Sequence, residues 1–245
     1  MNANASVARR WSTPLGMFLR EYYRTPLNLV LLVAIPTLLI LSFGDSLSRL
    51  AGIFDITLTT GMGQSMGAMW AAAFLTGIMG FFMMAGARAA DRRLVRAGYT
   101  TVEVVSLRFG AVAVLAALAT AASYSVLLTQ LTPADHPQSL LVIYLGALLY
   151  GAIGILIGSV IQGELEGSFA LLFFFVMDAF IGSPLFGDVP EFPFGLLPTF
   201  YPTKVLLSLT AGQPHNSIHW LYIALYLAVA GTMAGIAFYR AARVR

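Results

Sequence analysis

"LLVIYLGALLYGAIGILIGSVI", residues 140–161, contains no charged side chain. A helix needs about 20 apolar residues to cross a ~30 Å hydrocarbon core, and this run supplies them. Helix is the state that lipid permits, because every backbone N–H and C=O must find its partner inside the segment. A barrel strand would alternate polar and apolar positions over about ten residues, and this run does not. Working outward, similar runs occur near 27–44, 62–86, 109–131, 168–186 and 218–239. With 140–161 they predict six transmembrane helices.

Composition agrees. Of 245 residues, 58% are hydrophobic and 10% charged, and the mean hydropathy is +0.81. A soluble domain carries about 25% charged residues, so a soluble fold here would lack a surface. The expectation is an all-α integral membrane protein with one transmembrane domain over 1–245. Within it, 1–26 would form a cytoplasmic interface helix, 27–239 a six-span bundle and 240–245 a basic tail. The first run begins near residue 27 and meets Gly44-Asp45 rather than a small-x-small cleavage site, so it reads as a retained span. There is no cysteine, which excludes disulfides, thiolate catalysis and Cys-ligated metal.

The sequence pI near 9.3 has a topological cause. Arg9, Arg10, Arg20 and Arg24 precede the first run. Arg88, Arg92, Arg93, Arg96 and Arg108 lie between the second and third, and Arg240, Arg243 and Arg245 follow the sixth. With six spans all of these fall on one side, and only Arg49 and Lys204 on the other. By the positive-inside rule both termini are expected in the cytoplasm, with the chain in the cytoplasmic (inner) membrane. No nucleic acid is needed to explain the basic charge.

Three segments on the arginine side stand out. "STPLGMFLREYYRTP", residues 12–26, has Ser12 or Thr13 to cap a helix and Pro14 in its first turn. Leu15, Phe18, Leu19 and Tyr22 recur at helical spacing, with Arg20, Glu21 and Arg24 largely elsewhere, so the segment suits the membrane surface. "ARAADRRLVRAGYTTVEVVSLRF", residues 87–109, predicts a short helix over Ala89–Ala97, a stop at Gly98, and a new helix capped by Thr100 or Thr101 with Glu103 in its first turn. A basic helix outside the membrane suits docking to a partner, although arginines there also serve topology alone. "QGELEG", residues 162–167, puts Glu164 and Glu166 on the same basic side, as a protein contact or a solvated hairpin.

Several motifs carry little chemistry. A P-loop needs Gly-Lys-Ser/Thr, and the sole lysine, Lys204, stands between Thr203 and Val205. This chain therefore binds no ATP through a Walker motif. "GQSMG", Gly63–Gly67, matches a nucleophile elbow but opens a membrane helix with no strand before it; close helix packing explains its glycines better. "HNSIH" spaces His215 and His219 for a metal but lacks a third ligand nearby, so two exposed loop histidines are expected. "GILIG" and "GTMAG" permit close helix approach.

Asp178 is the one charge well inside a span. It lies ten residues beyond Ser168, about 15 Å deep in the bilayer. It is read as a partner for a cationic substrate, part of a gate, or a hydrogen-bonded packing group. Downstream, "EFPFGLLPTFYPTKVLLSL", residues 191–209, carries Pro193, Pro198 and Pro202, yet is almost wholly apolar. Broken backbone at membrane depth requires protein or a water-filled cavity beside it. The other reading is a loop packed on the protein surface.

Taken together these features resemble the type-2 family of ABC transporter permeases, the membrane subunits of mainly bacterial exporters. The resemblance rests on the surface helix, the first span "LNLVLLVAIPTLLILSFG" with its proline, the arginine-rich segment after the second span, the short glutamate turn and "MDAFIGSPLFGDVPEFPFGLLPTFYPTKVLLSLTAG". It implies short re-entrant helices between spans five and six, including Pro193, Pro198, Phe200, Tyr201 and Pro202. It also implies a second permease chain, identical or not, and two ATP-binding cassette subunits holding ATP and Mg. Phe18, Arg20, Glu21 and Arg24, together with Arg92, Arg93, Arg96, Gly98, Glu164 and Glu166, would carry the ATPase motion. Spans two and five would line the pathway with Met62, Met66, Met69, Phe173, Phe174 and Asp178. Methionines and aromatics suit an adaptable apolar substrate, a lipid or amphipathic drug. The implied role is efflux by alternating access, with no catalysis and no metal in this chain. A secondary transporter or a small membrane enzyme is the alternative.

Overall fold

The computed structural model describes residues 26–53, 55–96, 99–161, 163–183 and 190–243. The expected interface helix, with Phe18, Arg20, Glu21 and Arg24, lies outside them, as do Gly98 and residues 184–189. The described residues form eight helices and no strand. These are α1 (Pro26–Ile53), α2 (Thr60–Arg96), α3 (Thr101–Leu128), α4 (His136–Val160), α5 (Glu164–Ile181), the single turn α6 (Glu191–Phe194), α7 (Phe200–Ala211) and α8 (Ile218–Arg243).

The helix bodies follow the apolar runs, while their ends follow local chemistry. α1 does not stop at Gly44. It continues to Ile53 because Leu47 and Ala51 bury one face while Asp45, Ser46 and Arg49 stay outside. α2 is a single helix of 37 residues, about 55 Å long. The separate helix expected over Ala89–Ala97 is therefore its continuation. Gly86 alone costs only about 1 kcal/mol in a helix, and no proline or second glycine follows before Arg96. α3 starts on a capping box: Glu103 N–H donates to Thr100 Oγ1 at 3.2 Å, and Thr100 N–H to Glu103 Oε2 at 2.7 Å. Asp135 caps α4 by accepting the Gln138 N–H at 3.0 Å. α5 carries Glu164 and Glu166 in its first turn, where the helix dipole favours them.

α4 sits at the centre, with its most extensive contact against α2. Their seam is built of glycine. A Cβ on Gly80 would come within 2.6 Å of the Gly151 carbonyl oxygen, and one on Gly158 within 2.8 Å of the Phe81 carbonyl. A Cβ on Gly154 would strike the Gly77 carbonyl. The two backbones thus touch directly, the packing expected of small-xxx-small helices. The same device joins α1 to α2, where a Cβ on Gly63 would lie 2.6 Å from the Phe43 oxygen. Gly231 and Gly235 on α8, by contrast, have open space beside them.

The outside is apolar. Val33 and Leu38 on α1, Phe169 and Phe173 on α5, and Leu221 and Leu225 on α8 are all exposed. Ser65 and Thr76 are buried and donate to the carbonyls of Gly61 and Ala72, both at 2.8 Å. Water does not tolerate contiguous apolar faces of this kind; lipid does. Among the described residues five helices are long and apolar enough to cross a membrane: Val30–Ile53, Thr60–Gly86, Thr101–Leu128, His136–Val160 and Ile218–Arg240. α5, the counterpart of the expected fifth span, has 18 residues and three carboxylates and ends at Ile181, short of the expected 186.

Candidate functional site

Asp178 lies one turn before the end of α5 and is fully buried. Its carboxylate accepts a hydrogen bond from the Tyr150 hydroxyl of α4. It also accepts the backbone N–H of Thr199, 3.2 Å from both oxygens. Thr199 is the N-cap of α7 and makes no cap bond with its own side chain. A negative group from another helix therefore stands at the amino-terminal end of α7, where unpaired N–H groups and the helix dipole favour an anion. Phe175 packs edge-on against Tyr150, with ring centroids 5.4 Å apart.

These contacts fix the position of α7. Thr199 meets Asp178 beside Tyr150, Pro202 lies beside Gly146, and Leu209 accepts the Ala134 N–H at 3.2 Å. α7 therefore runs antiparallel along the first half of α4. Tyr150 is 14 residues beyond His136, about 21 Å along the helix, so α7 begins deep among the other helices. Phe200, Tyr201, Pro202, Val205, Leu206 and Leu209 are buried there. Pro202, in the first turn, forgoes an N–H that has no helical partner anyway. At the other end Gly212 takes φ +65°, a left-handed cap that glycine adopts without strain.

A second group ties down the segment before α7. Glu191 Oε1 lies 3.4 Å from Lys204 Nζ and 3.6 Å from His219 Nε2. Tyr201 stacks on Tyr222, with ring centroids 4.6 Å apart, and Tyr226 donates its hydroxyl hydrogen to the Gly195 carbonyl. His219 is thus a mostly buried residue in the first turn of α8, not the exposed loop histidine expected. His215 accepts the Trp220 indole N–H at 2.9 Å instead of facing His219 across a metal. Among the described residues no three His, Cys, Asp or Glu side chains cluster as metal ligands. Ser65 of "GQSMG" is buried within α2, with no strand before it among the described residues.

The expected pathway residues separate. Met66 and Met69 are fully buried, Met69 against Gly146 of α4, and Met62 is half-buried. Phe173 faces outward at 69% exposure and Phe174 at 37%. Asp178 is fully buried like Met66 and Met69, and the ring of Phe174 lies 6.3 Å from that of Tyr150, its hydrogen-bond partner. Of the expected outer residues, Pro193 is exposed, Pro198 half-buried, and Phe200, Tyr201 and Pro202 buried. Glu164 and Glu166 are exposed at the start of α5, where the Glu166 carboxylate turns back over Gly163. Arg92, Arg93 and Arg96 occupy the last turns of α2. Sequence reasoning missed Tyr150 and Thr199. The signal was available in principle, since a buried carboxylate needs donors and few side chains near mid-span carry a hydroxyl.

An all-helical, multi-pass membrane protein is the class that this architecture defines. No family model matches the chain, and no curated protein matches it.

Proposed function

We propose that the chain is the membrane-spanning subunit of an ATP-driven exporter of apolar or amphipathic molecules, powered by a separate ATP-binding subunit. The single observation that carries this reading is the length of α2. Thr60–Gly86 is long and apolar enough to cross the bilayer by itself. The helix then continues without a break to Arg96, about 15 Å further, through Arg88, Arg92, Arg93 and Arg96. A rigid rod with a cationic end outside the membrane suits a partner that pushes on it. The push would enter the α2–α4 seam directly, because backbone contacts there leave no soft side chain to absorb it. On this reading α5 is the fifth of six crossings, and α7 is a re-entrant helix on the side opposite the arginines. The outward-facing Phe192 and Leu196 then contact lipid. This chain and a second permease chain, identical or not, would enclose the pathway.

The test is co-purification with an ATP-binding subunit, followed by ATPase measurement in lipid. The native pair should assemble and hydrolyse ATP faster than the ATPase alone. The double reversal Arg92→Glu and Arg93→Glu should abolish that gain. Unchanged assembly and unchanged stimulation would remove the reading.

One observation favours a second reading, an ion-coupled secondary transporter. Helices that break inside the membrane form the substrate and ion sites of many such proteins. Gradient-driven uptake by the purified chain alone, without ATP, would establish it in place of the first.

A further inference from the structure

We infer that Asp178 is a proton-exchange site, at which a carboxyl group inside the helix bundle takes up and releases a proton while its neighbours stay in place. The inference stands apart from the ATPase reading, because it concerns one group of one chain. Its basis is the set of partners that surround the carboxyl group.

Asp178 is fully buried. Tyr150 of α4 gives its hydroxyl hydrogen to Oδ2. Thr199, at the start of α7, gives its N–H, 3.2 Å from both oxygens, and turns its hydroxyl to the same carboxyl group. α2 meets α5 here through rings alone, Phe74 against Phe175 and Trp70 against Phe180. The lysine and the histidines are engaged elsewhere. Lys204 and His219 lie against Glu191, His215 accepts from Trp220, and His136 meets Tyr124. Among the described residues, then, Asp178 is surrounded by hydroxyls, one backbone N–H and aromatic rings, with no cation paired to it.

Two effects oppose each other at such a group. Burial away from water penalises the charge and favours the neutral acid. Hydrogen-bond donors and the start of a helix favour the anion. Both forms fit the same surroundings. The anion accepts from Tyr150 and from Thr199. In the neutral acid Tyr150 and the Thr199 N–H still donate to Oδ2, and the added proton sits on Oδ1. The Thr199 hydroxyl, which donates to the anion, then accepts from the acid by rotating about its C–O bond. The proton comes from water and returns to it, so only that O–H bond forms and breaks, and no helix has to move. Fully buried ionisable groups do titrate in folded proteins, and carboxylates inside membrane helices recur in proton relays. The functional consequence is a proton-linked step, whichever energy source drives transport.

The test is infrared spectroscopy of the full chain, purified and reconstituted in lipid vesicles. Spectra are compared between buffers of about pH 4 and about pH 9, which bracket the ordinary carboxyl range. A protonated carboxyl group has a C=O stretch distinct from that of a carboxylate. Of the 11 Asp and Glu side chains in the chain, the acid-minus-alkaline spectrum of Asp178→Asn should lose the intensity of one. Tyr150→Phe should keep that band and shift its frequency, because the carbonyl loses one hydrogen bond. Identical difference spectra for the native chain and Asp178→Asn would overturn the inference. So would an Asp178-dependent band of equal strength in both buffers, which would mark a proton that is never released. If Asp178→Asn fails to fold, Tyr150→Phe decides alone, and a difference spectrum in which no band shifts would sink the inference.

Discussion

Asp178 stands out in the sequence as the one carboxylate deep in an apolar run, and it proves to be a joint between three helices. Its prominence was legible because charge in lipid is rare. Its partners were not. Tyr150 is 28 residues away and Thr199 is 21 away, and nothing in a periodic pattern links such positions. Gly212 is the opposite case. A glycine after an amphipathic stretch reads as a helix stop, and here it takes the left-handed conformation that the cap requires. Gly212→Ala should therefore lower stability by about 1 kcal/mol, chiefly through backbone strain. Its side-chain neighbour would be the Ala134 Cβ at 3.3 Å, a contact a small shift relieves. Thermal unfolding in detergent would show a modest fall in midpoint with normal assembly. An unchanged or raised midpoint would contradict the strain argument.

Among the elements, the helix bodies were readable and the ends were not. Apolar runs mark where lipid must be, but helices end where caps, breakers or packing end them. Asp45, Ser46 and Arg49 look like the start of a loop by polarity. They are the solvent-side face of α1, because Leu47 and Ala51 hold the other side. α5 was expected to 186 on hydropathy and stops at Ile181, with Gly182 as its C-cap. The glycines separate by neighbourhood in a way that spacing alone does not show. "GILIG" and "GTMAG" have the same pattern, yet Gly154 lies against the α2 backbone and Gly231 against nothing among the described residues. Gly154→Val should force α2 and α4 apart and cost at least about 3 kcal/mol, the upper range for overpacking. Gly231→Val should leave the fold of the chain intact. Size-exclusion profiles after detergent extraction should show aggregated protein for the first and a single symmetrical peak for the second. Aggregation of both, or of neither, would refute the assignment of the seam.

Across the whole molecule, the decisive asymmetry is electrical. The extended end of α2, the start of α3 near Arg108 and the end of α8 at Arg240 lie together at one end of the helices. Asp55, Asp135 and Glu191 lie at the other. The proposed reading puts the arginine end toward the cytoplasm by the positive-inside rule, since cationic loops resist translocation during insertion. A cysteine at Thr57, exposed in the turn between α1 and α2, should then react with an impermeant maleimide on intact cells. A cysteine at Glu164, exposed in the first turn of α5, should react only after the membrane is opened. A third position tests whether α5 completes a crossing. If α5 returned to its own side, a third cysteine at Leu196, exposed beyond it, would behave like Glu164 rather than like Thr57. Labelling of Thr57 and Leu196 together on intact cells fits six crossings, with the arginines left inside to meet a nucleotide-hydrolysing partner. The reverse pattern would put Arg92 and Arg93 out of reach of any such partner and end the proposal for function, while leaving the glycine seam and the Asp178 joint untouched.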